Sequence, residues 1–152
     1  MNYWLLKTEP EVYSIDDLER NRQTSWDGVR NFQARNFLRD RVKKGDQVFF
    51  YHSNADPSGI AGIAEIIREG YPEPSAANAK SKYYDPKHTK EKPVWFAVDL
   101  AFVKKFKVIF ALDQIRQIKG LEKMPLLKHG QRLSVQPVSS QEWARITQVV
   151  DS

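Results

Sequence analysis

Residues 94–102, "VWFAVDLAF", place an apolar side chain at Val94, Phe96, Val98, Leu100 and Phe102. Strict alternation is the period of a strand with one buried face, so this stretch is predicted as the clearest strand of the chain. Upstream, residues 72–93 hold Pro72, Pro74, Pro86 and Pro93 among small residues and lysines, a long loop of the kind that is usually functional or disordered. Downstream, "ALDQIRQIKG" reads as a short helix closed by Gly120, and "RLSVQPV" as a strand. Further out lie three more strand signals: "YWLLK" (Tyr3–Lys7), Gln47–Ser53 and "IAGIAEIIREGY", where Gly62 marks a bulge or a close backbone approach. Ser14 is placed to cap a helix through about Arg20. Ala34, Phe37, Leu38 and Val42 recur at helical spacing, and Ser139-x-x-Glu142 is a capping box for a last helix. Strands and helices do not alternate regularly, so the fold class is α+β. A small mixed or antiparallel barrel of five or six strands with short flanking helices fits best, as one domain over residues 1–152. Trp4, Phe37, Phe49, Phe96, Phe102 and Trp143 fall on apolar-periodic positions and are assigned to the core. Tyr83 and Tyr84 either pack the loop onto the barrel, the preferred reading, or extend a stacking surface.

With no cysteine, disulfides, thiolate metal sites and a Cys nucleophile are excluded. The longest charge-free runs are nine residues, Gln47–Ala55 and Leu133–Gln141, far short of a membrane span, and no leader pattern opens the chain. The expectation is a cytoplasmic protein, nuclear if its source is eukaryotic, and a monomer. The net charge of +5 is concentrated: residues 20–44 carry eight Arg/Lys against Asp27 and Asp40, and residues 80–107 carry eight Lys against Asp85, Glu91 and Asp99. Two basic blocks on a near-neutral body suit a polyanion if they meet in space, and are plain solvated faces if they do not.

Catalytic signatures are thin. His52, His88 and His129 are isolated from one another, so neither a metal nor a cofactor is expected. Lys7-Thr8-Glu9 combines a possible base or nucleophile with two polar partners, although adjacent strand residues diverge. More telling is "TSWDGVRN" (Thr24–Asn31), which sets an indole, a carboxylate, a glycine, a guanidinium and an amide within six positions. One reading makes Trp26 core, Asp27 a turn former and Asn31 a helix cap. The other makes a pocket for a nucleobase: Trp26 as aromatic face, Asp27 and Asn31 as edge chemistry, Gly28 as close backbone, Arg30 for a phosphate.

"NYWLLKTEP", "SWDGVRNFQARNFLRD", "KKGDQVFFYHS", "GIAGIAEII", "YYDPK" and "LLKHGQRLSVQPVSSQEW" occur together and in order. In these blocks the chain resembles the EVE domain family over essentially its whole length. The resemblance implies a PUA-like pseudo-barrel, related in architecture to the YTH domains that read methylated adenine in RNA. It also implies recognition of modified bases in nucleic acid, chiefly modified cytosines such as 5-methyl- or 5-hydroxymethylcytosine in DNA, with RNA the lesser expectation. Matched onto the family's motifs, the base pocket comprises Lys7, Trp26, Asp27, Val29, Arg30, Asn31, Tyr51, His52, Ser53, Arg132, Leu133 and Ser134. The sequence departs locally from the family's pattern at His129 and Val94, both near expected rims.

Contacts to the nucleic-acid backbone are expected from Arg35, Arg39, Arg41 and Lys43 in the first basic block and from Lys80, Lys82, Lys87, Lys90 and Lys92 in the loop. The alternatives are a small hydrolase of modified pyrimidines built on Lys7, Thr8 and Glu9, and an RNA-binding adaptor indifferent to modification.

Overall fold

The computed structural model describes residues 1–151. Six strands form one mixed sheet: β1 (Tyr3–Thr8), β2 (Gln23–Trp26), β3 (Gln47–His52), β4 (Gly59–Pro72), β5 (Phe96–Ala111) and β6 (Val135–Val138), in the order β2-β5-β4-β3-β1-β6. β1 and β3 are parallel and every other pairing is antiparallel. Among the described residues the edge strands β2 and β6 are not paired, so the sheet curls toward a barrel without closing. Five short helices flank it: α1 (Ile15–Asn21), α2 (Phe32–Asn36), α3 (Pro74–Ala77), α4 (Leu112–Arg116) and α5 (Ser140–Val150). None is long and apolar enough to cross a membrane.

β1 and β3 are continuous apolar runs because both of their faces are covered. Trp4, Leu6, Val48 and Phe50 pack on one side with Leu18, Trp26 and Leu38, while Leu5, Phe49 and Tyr51 pack on the other with Ile115, Leu126 and Ile146. The parallel pairing requires a crossover, which α1, β2 and α2 supply. Ser14 starts α1 as a capping box: its Oγ accepts from the Asp17 N–H at 3.1 Å, and Asp17 Oδ2 accepts from the Ser14 N–H at 2.9 Å. Ser139 and Glu142 do the same for α5. α2 continues as a π-helical turn over Phe37–Arg41 that buries Leu38.

Three features differ from the sequence expectations. The strand expected to end at Phe102 runs to Ala111, the helix expected to reach Gly120 ends at Arg116, and β2 was not foreseen. Gly62 does sit at a register shift against β5, where an added Cβ would lie 2.2 Å from the Lys104 carbonyl oxygen. Trp4 and Phe49 are fully buried, Phe37, Phe102 and Trp143 pack against the two cores, and Phe96 is half-buried.

Candidate nucleic-acid-binding cavity

β2 delivers Trp26 to the first core, where its ring meets Phe50 edge-on at 5.7 Å. The chain then turns through Gly28 at φ +76°, a conformation that favours glycine, and buries Val29 before Asn31 caps α2. Asn31 Oδ1 accepts from the Ala34 N–H at 3.0 Å. Between them Arg30 is clamped. Its guanidinium donates to both carboxylate oxygens of Glu73 at 2.8 Å, and to the carbonyls of Tyr83 (2.7 Å) and Val29 (3.1 Å). It also lies over the rings of Tyr83 (5.2 Å) and Trp95 (4.8 Å). Glu73 is fully buried. Burial pushes its carboxyl up, but Arg30, the Ser75 hydroxyl and the Gly28 N–H outweigh this and hold its pKa below the usual range. Arg30 is therefore spent on structure, in place of the free phosphate contact expected of it.

The same anchors order the long loop. Trp95 Nε1 donates to Asp85 at 2.8 Å, and buried His88 Nδ1 accepts from the N–H groups of Val94 and Trp95, both at 3.0 Å. Tyr83 is thereby laid against Gly28, where a Cβ would come within 2.5 Å of the Tyr83 ring.

Opening between the two unpaired edges of the sheet is a cavity of about 610 Å3. One wall is β2 and the turn after it (Thr24 through Asn31) with Lys82 and Tyr83 of the loop. The other is the end of β1 (Lys7, Thr8), the turn residues Val12 and Tyr13, and Arg132 and Ser134 ahead of β6. The Lys7 N–H donates to the Ser134 carbonyl at 2.9 Å and ties that wall together. Trp26 is only 8% exposed, yet it lines the cavity. Its indole N–H makes no hydrogen bond among the described residues, and no wholly buried side-chain nitrogen or oxygen lacks a partner. The N–H is thus an unpaired donor that is not wholly buried, on a ring that lines the cavity. The core reading of the opening motif holds for Trp26 and for Asn31 as a helix cap, and both residues also line the cavity. Lys7 is half-buried beside the Tyr51 ring (5.8 Å), and desolvation lowers its pKa. Asp27 is exposed and accepts from the Ser75 hydroxyl at 3.1 Å.

Of the sequence-predicted pocket residues, Lys7, Trp26, Asp27, Val29, Arg30, Asn31, Arg132 and Ser134 line this cavity, whereas Tyr51, His52, Ser53 and Leu133 do not. Tyr51 is buried in the second core, and burial raises its pKa. His52 is 8% exposed, and its Nε2 accepts from the Ile15 N–H at 3.1 Å, so it secures α1 as a neutral ring. The Ser53 N–H donates to the Thr8 carbonyl, and Leu133 packs on the first core. Thr8, Val12, Tyr13, Thr24, Ser25 and Tyr83 line the cavity without having been assigned to it, and Gly28 lines it as the motif reading expected.

Of the two basic blocks, only Arg30 and Lys82 line the cavity. Arg35 donates to the Val94 carbonyl at 2.6 Å, Arg39 pairs with Asp40 at 2.8 Å and Lys43 lies 3.9 Å from Glu69. Arg41 lies over Trp4 and Phe37 and shares a separate cavity with Asn2 and Tyr3. That cavity is at the start of β1, roughly 16 Å from Thr8 at about 3.3 Å per residue. Lys80, Lys87, Lys90 and Lys92 are exposed and do not line the cavity beside Trp26, while Lys82 does.

The family model for the EVE domain matches residues 2–149. Thymocyte nuclear protein 1 of Gallus gallus is 42% identical over 159 residues, which cover 93% of this chain and 65% of that protein. The chain thus spans about two thirds of the length of that curated relative. A crystal structure of a Pseudomonas syringae protein matches with a TM-score of 0.92 at 48% identity, covering 97% of this chain and 99% of that one. Human THYN1 protein, crystallised in complex with 5-methylcytosine-containing DNA, matches with a TM-score of 0.88 at 36% identity, covering 100% and 99%.

Proposed function

The chain belongs to the EVE domain family, and on that premise we propose that it is a non-catalytic module that binds nucleic acid carrying a modified cytosine, DNA ahead of RNA, and takes that base into the cavity beside Trp26. The observation that carries the reading is Trp26, a ring that lines the cavity and whose indole N–H has no hydrogen-bond partner among the described residues. A volume of about 610 Å3 lies within the usual range for small-ligand pockets. The related human protein's complex with 5-methylcytosine-containing DNA supports the ligand class.

Trp26, Tyr83 and Tyr13 offer ring surface, and base–aromatic stacking contributes roughly 1–3 kcal/mol with little regard to sequence. Selectivity has to come from polar contacts. Burying one methyl adds about 0.8 kcal/mol, roughly a fourfold preference. A substituent that hydrogen-bonds discriminates more, because its absence leaves buried groups unpaired. Lys7, Asp27, Ser134 and the Trp26 N–H supply such groups, with Asn31 and Arg132 beside them and Val29 and Arg30 holding the wall.

The hydrolase reading loses its acid: Glu9 accepts from Asn54 Nδ2 at 2.6 Å and does not line the cavity with Lys7 and Thr8. The deciding experiment titrates matched oligonucleotides that differ only in one cytosine. Hydroxymethylcytosine is expected to bind more tightly than methylcytosine, and methylcytosine more tightly than cytosine, with Trp26→Phe weakening the modified ones by removing the N–H while keeping a core ring. Equal affinities for all three would leave only the modification-indifferent adaptor.

A further inference from the structure

An extruded base brings with it the two phosphates of its own nucleotide, and extrusion costs unstacking that contacts outside the base must offset. Four cationic side chains line the cavity. Arg30 is neutralised by Glu73, and Lys7 is half-buried at the end of β1. Lys82 and Arg132 are exposed, neither has an ion-pair partner among the described residues, and Asp27 is the one acidic residue lining the same space. They stand on opposite walls. Lys82 extends over the Tyr83 ring (5.1 Å) on the β2 side, and that ring is itself fixed beneath Arg30. Arg132 comes from the segment leading into β6.

We propose that Lys82 and Arg132 each hold one of the two phosphates flanking the extruded nucleotide, so that the ligand unit of this site is a nucleoside 3′,5′-bisphosphate and not a base alone. The proposal deepens the base-pocket reading and rests on it. It singles out these two cations from the basic blocks because Lys80, Lys87, Lys90 and Lys92 lie outside the cavity lining, and Arg39 and Lys43 face acids elsewhere. Nothing in the arrangement needs a regular duplex, since each phosphate is met by a side chain from its own wall.

The test uses the full chain with three probes, 5-methyl-2′-deoxycytidine, its 5′-monophosphate and its 3′,5′-bisphosphate, titrated by NMR. Affinity is expected to rise at each step, to a total on the order of tenfold or more, as charge-assisted contacts are added. Lys82→Met and Arg132→Met should each remove the gain from a different phosphate and affect the nucleoside less than the bisphosphate, with Lys123→Met, exposed and outside the cavity lining, as an inert control. On single-stranded oligonucleotides each variant should lower the slope of log affinity against log salt by about 0.7. The proposal is overturned if the bisphosphate binds no tighter than the nucleoside, if either variant weakens all three probes equally, or if the bisphosphate fails to bind where the oligonucleotide succeeds. Oligonucleotide binding by the parent protein without preference for the modified base is a distinct result. It sinks the base-pocket reading and this proposal together.

Discussion

Replacing Arg30 with Met leaves a wholly buried carboxylate without its bidentate partner. Breaking one side of a buried ion pair costs about 3–5 kcal/mol. Here the guanidinium makes two 2.8 Å contacts to Glu73, but its side chain is 28% exposed and Glu73 keeps the Ser75 hydroxyl and the Gly28 N–H. The lower end, about 3 kcal/mol, is therefore expected, and for a chain of this size that is a fall in melting temperature of roughly 6–12 °C. The loss should depend on pH in a definite sense. In the parent, burial raises the Glu73 pKa but its partners depress it further, so its stabilisation is present above about pH 4.3 and lost as pH falls through the lower folded-state value. In Arg30→Met burial prevails, the folded-state pKa rises above the unfolded one, and the penalty is relieved on acidification. Denaturant unfolding near pH 7 and about pH 4 measures both: the gap between parent and variant should be widest near neutrality and narrow in acid. A gap below about 1 kcal/mol, or one that is unchanged with pH, would refute the claim that this pair anchors the cavity wall.

Gly28→Ala should cost roughly 1–2 kcal/mol in left-handed strain alone, and its new Cβ would drive into the Tyr83 ring. Gly45→Ala supplies the comparison, with φ +94° but open space around the Cβ. Both variants should melt earlier, but only the first should weaken oligonucleotide binding, and equal affinities would separate Tyr83 from the site. For His52, burial lowers the imidazole pKa despite nearby Asp16, so the unfolded chain takes up its proton first and stability drains as pH falls from about 6.5. His52→Gln keeps an acceptor for the Ile15 N–H and removes the proton site. Its urea midpoint should change less between about pH 7.5 and pH 5 than the parent's, and parallel curves would contradict a neutral buried imidazole.

Sequence patterning revealed what is local and periodic. "VWFAVDLAF" announced its strand by alternation, but the continuation to Ala111 was hidden: Lys104, Lys105 and Lys107 interrupt the apolar series, and between Lys105 and Phe110 the register against β4 slips. β2 escaped notice because four residues with one buried side chain carry too little signal. The block from Trp26 to Asn31 stood out as a candidate site because its residue types are unusual together, and it does line the cavity. The roles of Arg30 and Tyr83 were not legible, because the partner that fixes Arg30 lies 43 residues away and the Tyr83 carbonyl that accepts from it lies 53 residues away. His52 looked like a site residue from the family motif, and only the 37-residue reach to the Ile15 N–H discloses a structural duty. Val12 and Tyr13 could have been suspected as neighbours of Lys7, since the turn after β1 had to pass the same opening.

The unpaired edges of the sheet have one more implication. Neighbouring strands in a ladder are locked about 4.8 Å apart, and no such lock operates between β2 and β6. The aperture is instead gauged by side chains, Trp26 against Phe50 on one flank and Tyr83 against Arg30 above it. On the proposed base-pocket reading, exchanging those few residues would let the same backbone admit larger or smaller heterocycles with no ladder hydrogen bond lost.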